Sequence, residues 1–307
     1  MAGYHTLGVD RLFINGEFVP SVSHKKFDVI NPAAEEIAAS IYEAGAEDVD
    51  LAVEAAKAAF PEWSALSADV RCDYLSKLAD EIDQYEGQIT YMEAITMVML
   101  GTAKRYLNFF AHKAINVTGE TSLNTPEYLN FSILGPALAA GNTMVLKSSE
   151  KSPLSAIFFA SLCQKVGLPK GVPNILNGFG RPCGEAFSRH MDIRRVSFTG
   201  SVATGRVLQK AANESNLKNI GLELGGKSPL LFFDDASLEK AVRSATFSIL
   251  YNSGQVCMAS SRIYVQEEIA PKFVAALKEE IFGPVLVVNT CWKIRESPLS
   301  SGFRLLV

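Results

Sequence analysis

The sequence predicts an α/β protein built on a doubly wound parallel sheet, and three observations predict it. From residue 143 onward, short apolar strands alternate with helical stretches: TMVLK, PLSAIFFASLCQKVG, VPNIL, a second helix, RVSF and a third. Each return of the chain then lays a new strand beside the last and covers the sheet with helices. The helix boundaries are punctuated as well, with Ser152 and Pro153 opening the first helix as cap and first turn and Gly167 and Pro169 closing it. Finally, the loops between these segments are rich in glycine, as tight strand-to-helix turns require.

Upstream, LFINGEFVPS and KKFDVINP have strand character and are broken by Asn-Gly and Asn-Pro turn signals, which predicts an antiparallel element over residues 12 to 45. In EDVDLAVEAAKAAF, Ala52, Ala55, Ala56, Ala59 and Phe60 share one helical stripe, and Leu75, Leu78, Ala79 and Ile82 repeat the spacing in the next segment. Two amphipathic helices are expected there. The last stretch, LVVNTCWKIRESPLSSGFRLLV, has strand-like pieces without a clear period and is expected to be a loosely specified tail.

The chain has 307 residues, room for one large or two ordinary domains, and a hydrophobic content of 48% supports a substantial core. Its 29 basic and 33 acidic residues are well mixed, which offers no basic face to nucleic acid and no polybasic anchor to a membrane. No uninterrupted apolar run of about 18 residues occurs, and the N-terminal stretch meets Asp10 and Arg11 before a signal-like apolar region forms. The expected address is cytoplasmic. Five cysteines (72, 163, 183, 257 and 291) lack the spacing of a zinc site or disulfide framework, and the four histidines are unpaired at helical spacing. Free thiols and no metal are expected.

In sheets of this kind, ligands gather at the carboxyl ends of the strands. Three glycine-rich loops belong there: NGFGRPCG with Gly178, Gly180 and Gly184; FTGSVATG with Thr199, Gly200, Ser201 and Gly205; and LELGGKSP with Glu223, Gly225 and Gly226. Glycine lets backbone amides approach a phosphate, although each loop alone equally suits a plain tight turn. TMVLK ends at Lys147, and Glu150 follows three residues later. That carboxylate can accept two hydrogen bonds from a ribose diol while the ammonium steadies nearby oxygens; a solvated surface pair is the alternative.

In NSGQVCMASSR, residues 252 to 262, Cys257 sits among small and polar neighbours. A thiolate there has room for a substrate carbon and for amide donors, whereas an inert buried thiol would want apolar company. Glu223, in the setting GLELGG, is the candidate general base, its pKa expected to rise through desolvation.

These segments carry a resemblance. FTGS (198 to 201), LELGGKSP (222 to 229), GQVCMASSR (254 to 262) and EEIFGPV (279 to 285) look like signature segments of the NAD(P)-dependent aldehyde dehydrogenases, and GPALAAGNTMVLKSSEKSP (135 to 153) resembles their adenosine-binding strand. The resemblance implies a dinucleotide-binding domain over residues 1–225 and an incomplete catalytic domain over 226–307. It also implies aldehyde oxidation through a thioester on Cys257, with Glu223 activating water. Lys147 and Glu150 match adenosine-ribose contacts, and the Glu150 carboxylate would favour NAD over NADP by repelling a 2′-phosphate. Gly180, Gly184, Thr199, Gly200, Ser201 and Gly205 match the cofactor-lining loops, and Glu280 and Phe282 match residues beside the nicotinamide ribose. The implied partners are a small-molecule aldehyde and, as an open alternative, further copies of the chain.

Complete members of that family carry a Gly-Val-rich strand and a Pro-Trp-Asn segment just before the counterpart of GPALAAGN. That strand is not recognisable here; Asn124 stands at a comparable distance, and a loss of the oxyanion donor would cost roughly a hundredfold in rate. Much of the catalytic sheet between APKFVAALK and EEIFGPV is also missing, and the family's oligomerisation strand is not recognisable beyond Val285. A catalytically impaired relative that binds a dinucleotide or a partner is therefore a second expectation, and a cofactor-free ester or thioester hydrolase using Cys257 and Glu223 is a third.

Overall fold

The computed structural model describes residues 10–31, 34–94, 107–110, 129–280 and 287–291. The chain divides into two compact units, Met1–Thr199 with Ala203–Glu223, and Gly200–Val202 with Leu224–Val307.

The first unit opens on a hairpin, β1 (Leu12–Ile14) and β2 (Glu17–Val19), paired antiparallel around Asn15 and Gly16. Both turn residues have positive φ, 52° and 79°, the left-handed pair that a two-residue hairpin needs. A second antiparallel hairpin joins β3 (Lys26–Asn31) to β4 (Glu36–Tyr42). Three helices follow, α1 (Ala46–Ala65), α2 (Ala68–Gln84) and α3 (Glu86–Ala94). The helix α4 (Leu129–Ala139) then leads into β5 (Met144–Lys147), α5 (Leu154–Lys165) and β6 (Pro173–Leu176).

Strands β5 and β6 are parallel, with Lys147 opposite Leu176, and β1 joins the far side of β6 antiparallel, so the sheet order is β2-β1-β6-β5. Side-chain alternation covers this sheet on both faces. Leu12, Ile14 and Leu176 pack with Val49, Ala52 and Val53 of α1. Phe13 and Ile175, one residue out of phase, pack with Phe158, Phe159 and Leu162 of α5 and with Leu75, Leu78 and Ile82 of α2.

The helix stripes differ in one respect from expectation. All four residues foreseen for α2 are buried, whereas on α1 Phe60 is 46% exposed and the core contact at that end is made by Trp63, one turn on. Val49 and Val53 complete the buried stripe. The start of α5 also differs: Pro153 occupies the N-cap position, and no side chain caps the helix, so Ser152 does not serve. Its end conforms. Gly167, at φ 73°, donates to the carbonyl of Gln164 while Leu168 donates to that of Cys163, a Schellman closure.

The unit continues through a distorted turn at Gly180–Gly184, a short helix α6 (Glu185–Arg189), and strand β7 (Arg195–Gly200). After α7 (Val202–Asn213) comes β8 (Asn219–Leu224), which pairs with β7.

The second unit is a parallel sheet of order β11-β10-β9, formed by β9 (Pro229–Phe232), β10 (Arg262–Gln266) and β11 (Val287–Cys291). Helices α8 (Leu238–Leu250) and α9 (Ala270–Glu280) pack against it through Ala241, Val242, Ala245, Ile249, Phe273 and Leu277. β11 gives one strand-like piece of the expected loosely specified tail a definite place: Val287–Cys291 runs parallel and in register with Arg262–Gln266. No described helix is long and apolar enough to cross a membrane.

Candidate active site

In the first unit the structure gathers Lys147, Glu150 and the Gly178–Gly184 loop at the carboxyl end of the β5–β6 pair. The Lys147 ammonium donates to two main-chain carbonyls, those of Gly178 at 2.6 Å and Ser148 at 2.7 Å. Lys147 is therefore held inward rather than swinging in solvent. Burial pushes its pKa below the ordinary lysine value, and the negative charges of Cys183 and Glu150, when present, oppose that shift. Glu150 is half-exposed and Gly180 exposed, with open space where a side chain on Gly180 would stand. At Gly184 the same space ends on the Lys147 side chain, 3.7 Å away.

Beneath the loop lies Cys183, whose thiol burial pushes up to about 12, the Lys147 ammonium pulling the other way. It is a packing residue, as is Cys163, likewise buried and raised. Gly178 is glycine for reasons of space: a Cβ there would stand 3.0 Å from the Ala44 carbonyl oxygen and 3.1 Å from the Cys183 Cβ.

Thr199 and Gly200 end β7 and are exposed; Ser201 precedes α7, on which Gly205 is buried. Glu223, near the end of β8, is exposed. Its apolar neighbours in β8 do not cover it, because Leu222 and Leu224 share the face of the strand opposite to Glu223.

In the second unit, Cys257 lies in a turn between the helical turn Tyr251–Gly254 and β10, as a half-buried free thiol. Gly254, at φ 73°, turns the chain into this loop. Ala259 then donates to the carbonyl of Val256, and Ser260 donates to that of Ser248 on α8. The LELGGKSP loop backs it, for a Cβ on Gly226 would stand 2.5 Å from the Cys257 carbonyl oxygen. The Arg262 guanidinium donates to the Lys227 carbonyl at 2.8 Å and ties the two loops together again. Glu280 is the exposed last residue of α9; Phe282 and Asn124 lie outside the described residues.

The sequence reading missed Ser148, Asn174 and Asn177, polar side chains that are 0 to 1% exposed around the ends of β5 and β6. For the two asparagines the signal was visible in PNILNG, where one amide lies in and the other just after a short apolar strand.

The chain is similar to known proteins over most of its length. The aldehyde dehydrogenase family profile matches residues 18–99 and 97–279. An aldehyde dehydrogenase of Emericella nidulans is 44% identical over 300 residues, which cover 87% of this chain and 60% of that protein. Aldehyde dehydrogenase family 2 member C4 of Arabidopsis thaliana is 39% identical over 305 residues, covering 88% and 61%. Among solved structures, the aldehyde dehydrogenase KauB of Pseudomonas aeruginosa superposes with a TM-score of 0.83 at 32% identity, covering 88% of this chain and 62% of that one. An NAD+ complex of an aldehyde dehydrogenase from Bacillus cereus gives 0.82 at 34%, with the same coverage. The fold is α/β, with helices packed against sheets that include parallel and antiparallel pairs. The chain belongs to the aldehyde dehydrogenase family and spans about 60% of the length of the curated relatives it matches.

Proposed function

We propose that this chain oxidises an aldehyde to a carboxylic acid with NAD, Cys257 acting as nucleophile and Glu223 as general base. The observation that carries the reading is the half-exposed Cys257 thiol on a turn braced by Gly226, in a chain whose relatives are named aldehyde dehydrogenases. The Cys257 sulfur, as thiolate, adds to the aldehyde carbon, and the carbonyl oxygen takes up the negative charge. Bound NAD supplies the hydride acceptor. The Glu223 carboxylate takes a proton from the water that attacks the resulting thioester, and the carbon–sulfur bond breaks to return the Cys257 thiolate and release the acid.

For the cofactor, the residues of the first unit fit an adenosine ribose. Two of the three Lys147 N–H donors go to the Gly178 and Ser148 carbonyls, which leaves one for a ligand oxygen. The half-exposed Glu150 carboxylate suits a ribose diol, and the same charge disfavours NADP. In this reading Thr199, Gly200, Ser201 and Gly205 contact the cofactor, and Glu280 contacts its nicotinamide ribose. Incubation of the purified chain with NAD and an aldehyde panel tests it. Cys257-dependent formation of reduced nicotinamide is expected; no such formation, or formation that survives Cys257→Ala, overturns it.

A further inference from the structure

Lys147 owes its position to the carbonyls of Ser148 and Gly178, and the buried side chain of Asn177 adjoins both residues. Asn177 is the first residue after β6 and is 0% exposed. Its Oδ1 accepts a hydrogen bond from the Ser148 hydroxyl at 2.9 Å, and Ser148 is the first residue after β5, only 1% exposed. Its Nδ2 donates to the Arg11 carbonyl at 3.4 Å, and its own main-chain carbonyl accepts from the Ala44 N–H at 2.7 Å. The main-chain bond from Ser148 N–H to the Leu176 carbonyl, 3.0 Å, runs alongside.

The two carbonyls that grip the ammonium therefore belong to Ser148, the hydroxyl partner of Asn177, and to Gly178, its chain neighbour. Gly178 has no freedom of its own, being packed against the Ala44 carbonyl and Cys183. We infer that Asn177 is a positioning residue for the Lys147 ammonium: it locks the ends of β5 and β6 together in the geometry that presents Lys147, and so sets the affinity for the adenosine half of the cofactor. The inference rests on the reading of Lys147 as a cofactor contact. A buried amide hydrogen-bonded at both its oxygen and its nitrogen is costly to replace, and its loss frees the segments it joined rather than the surface at large.

The test is a double-mutant cycle on the full chain, with NAD binding followed by calorimetry and folding checked by thermal melting. Asn177→Ala is expected to weaken binding roughly five- to tenfold, and Lys147→Ala at least as much. The double variant is expected to bind no more weakly than Lys147→Ala alone, since residues acting through one contact do not add. Full additivity, or unchanged binding in Asn177→Ala, overturns the positioning role while the reading of Lys147 stands. Unchanged binding in Lys147→Ala overturns the reading of Lys147, and the inference with it. Should Asn177→Ala fail to fold, Ser148→Ala removes the same hydrogen bond from the other side. Its expected weakening, about two- to fivefold, should vanish in the Lys147→Ala background, and a weakening that persists there overturns the inference.

Discussion

Gly226 lies against the main-chain carbonyl of Cys257 so closely that a single added carbon would stand 2.5 Å from that oxygen. The contact is to backbone, which cannot swing aside as a flexible side chain would. Gly226→Ala is accordingly expected to displace the Cys257 turn, at a cost of roughly 1–3 kcal/mol in stability. The rate of Cys257 alkylation by iodoacetamide should change with it. A variant that melts and alkylates like the parent would show that the turn has slack.

Cys257→Ala should abolish NAD-dependent aldehyde oxidation, with a loss of at least about a thousandfold in rate, because no other group forms the thioester. NAD binding by calorimetry should be unaffected, since the proposed ribose contacts, Lys147 and Glu150, lie at the end of β5. Equal losses of binding and turnover would place the thiol in cofactor binding instead.

The lowered pKa of Lys147 has a signed consequence. Its ammonium is lost at a pH below the ordinary 10.5, so NAD affinity should fall as pH rises through that lowered value. Stability moves the opposite way. Between the lowered folded pKa and 10.5 the unfolded chain holds more protons at this site, so Lys147 makes a contribution that rises with pH there. Calorimetric titrations across the alkaline range should show the affinity loss in the parent and a flatter profile in Lys147→Met.

Arg71 is buried where α1 and α4 end: its Nε donates to the Ala139 carbonyl at 2.9 Å, and its Nη1 donates to the carbonyls of Ser64 and Leu66. Those carbonyls close α1 and α4 and lack helical partners of their own. Arg71→Ala should cost about 2–4 kcal/mol in chemical denaturation. Arg71→Lys should recover little of it, because an ammonium cannot span the same fork of acceptors.

What the sequence made legible follows from range. The Asn15-Gly16 hairpin, the α2 stripe and the Gly167 closure are decided within a few residues, and all appear as expected. Lys147 at a strand end and Cys257 in a turn of small residues were legible for the same reason. Long-range partners were not: that Asn177 would join Ser148, 29 positions away, or that Gly226 would support Cys257, depends on which loops the sheet brings together. β11 had only strand-like character without a period, and its place depends on pairing with β10, which is distant in sequence. Glu223 shows the opposite failure, where neighbours apolar in sequence alternate across a strand and leave the carboxylate uncovered.

Trp63, 1% exposed among the α1, α2 and α5 side chains, has an indole N–H that meets no acceptor among the described residues. An indole in so dry a setting emits at short wavelength and shifts to the red once water reaches it. With Trp292→Phe to silence the second tryptophan, the chain's own fluorescence would report melting of the helical layer over the β2-β1-β6-β5 sheet, with no label attached.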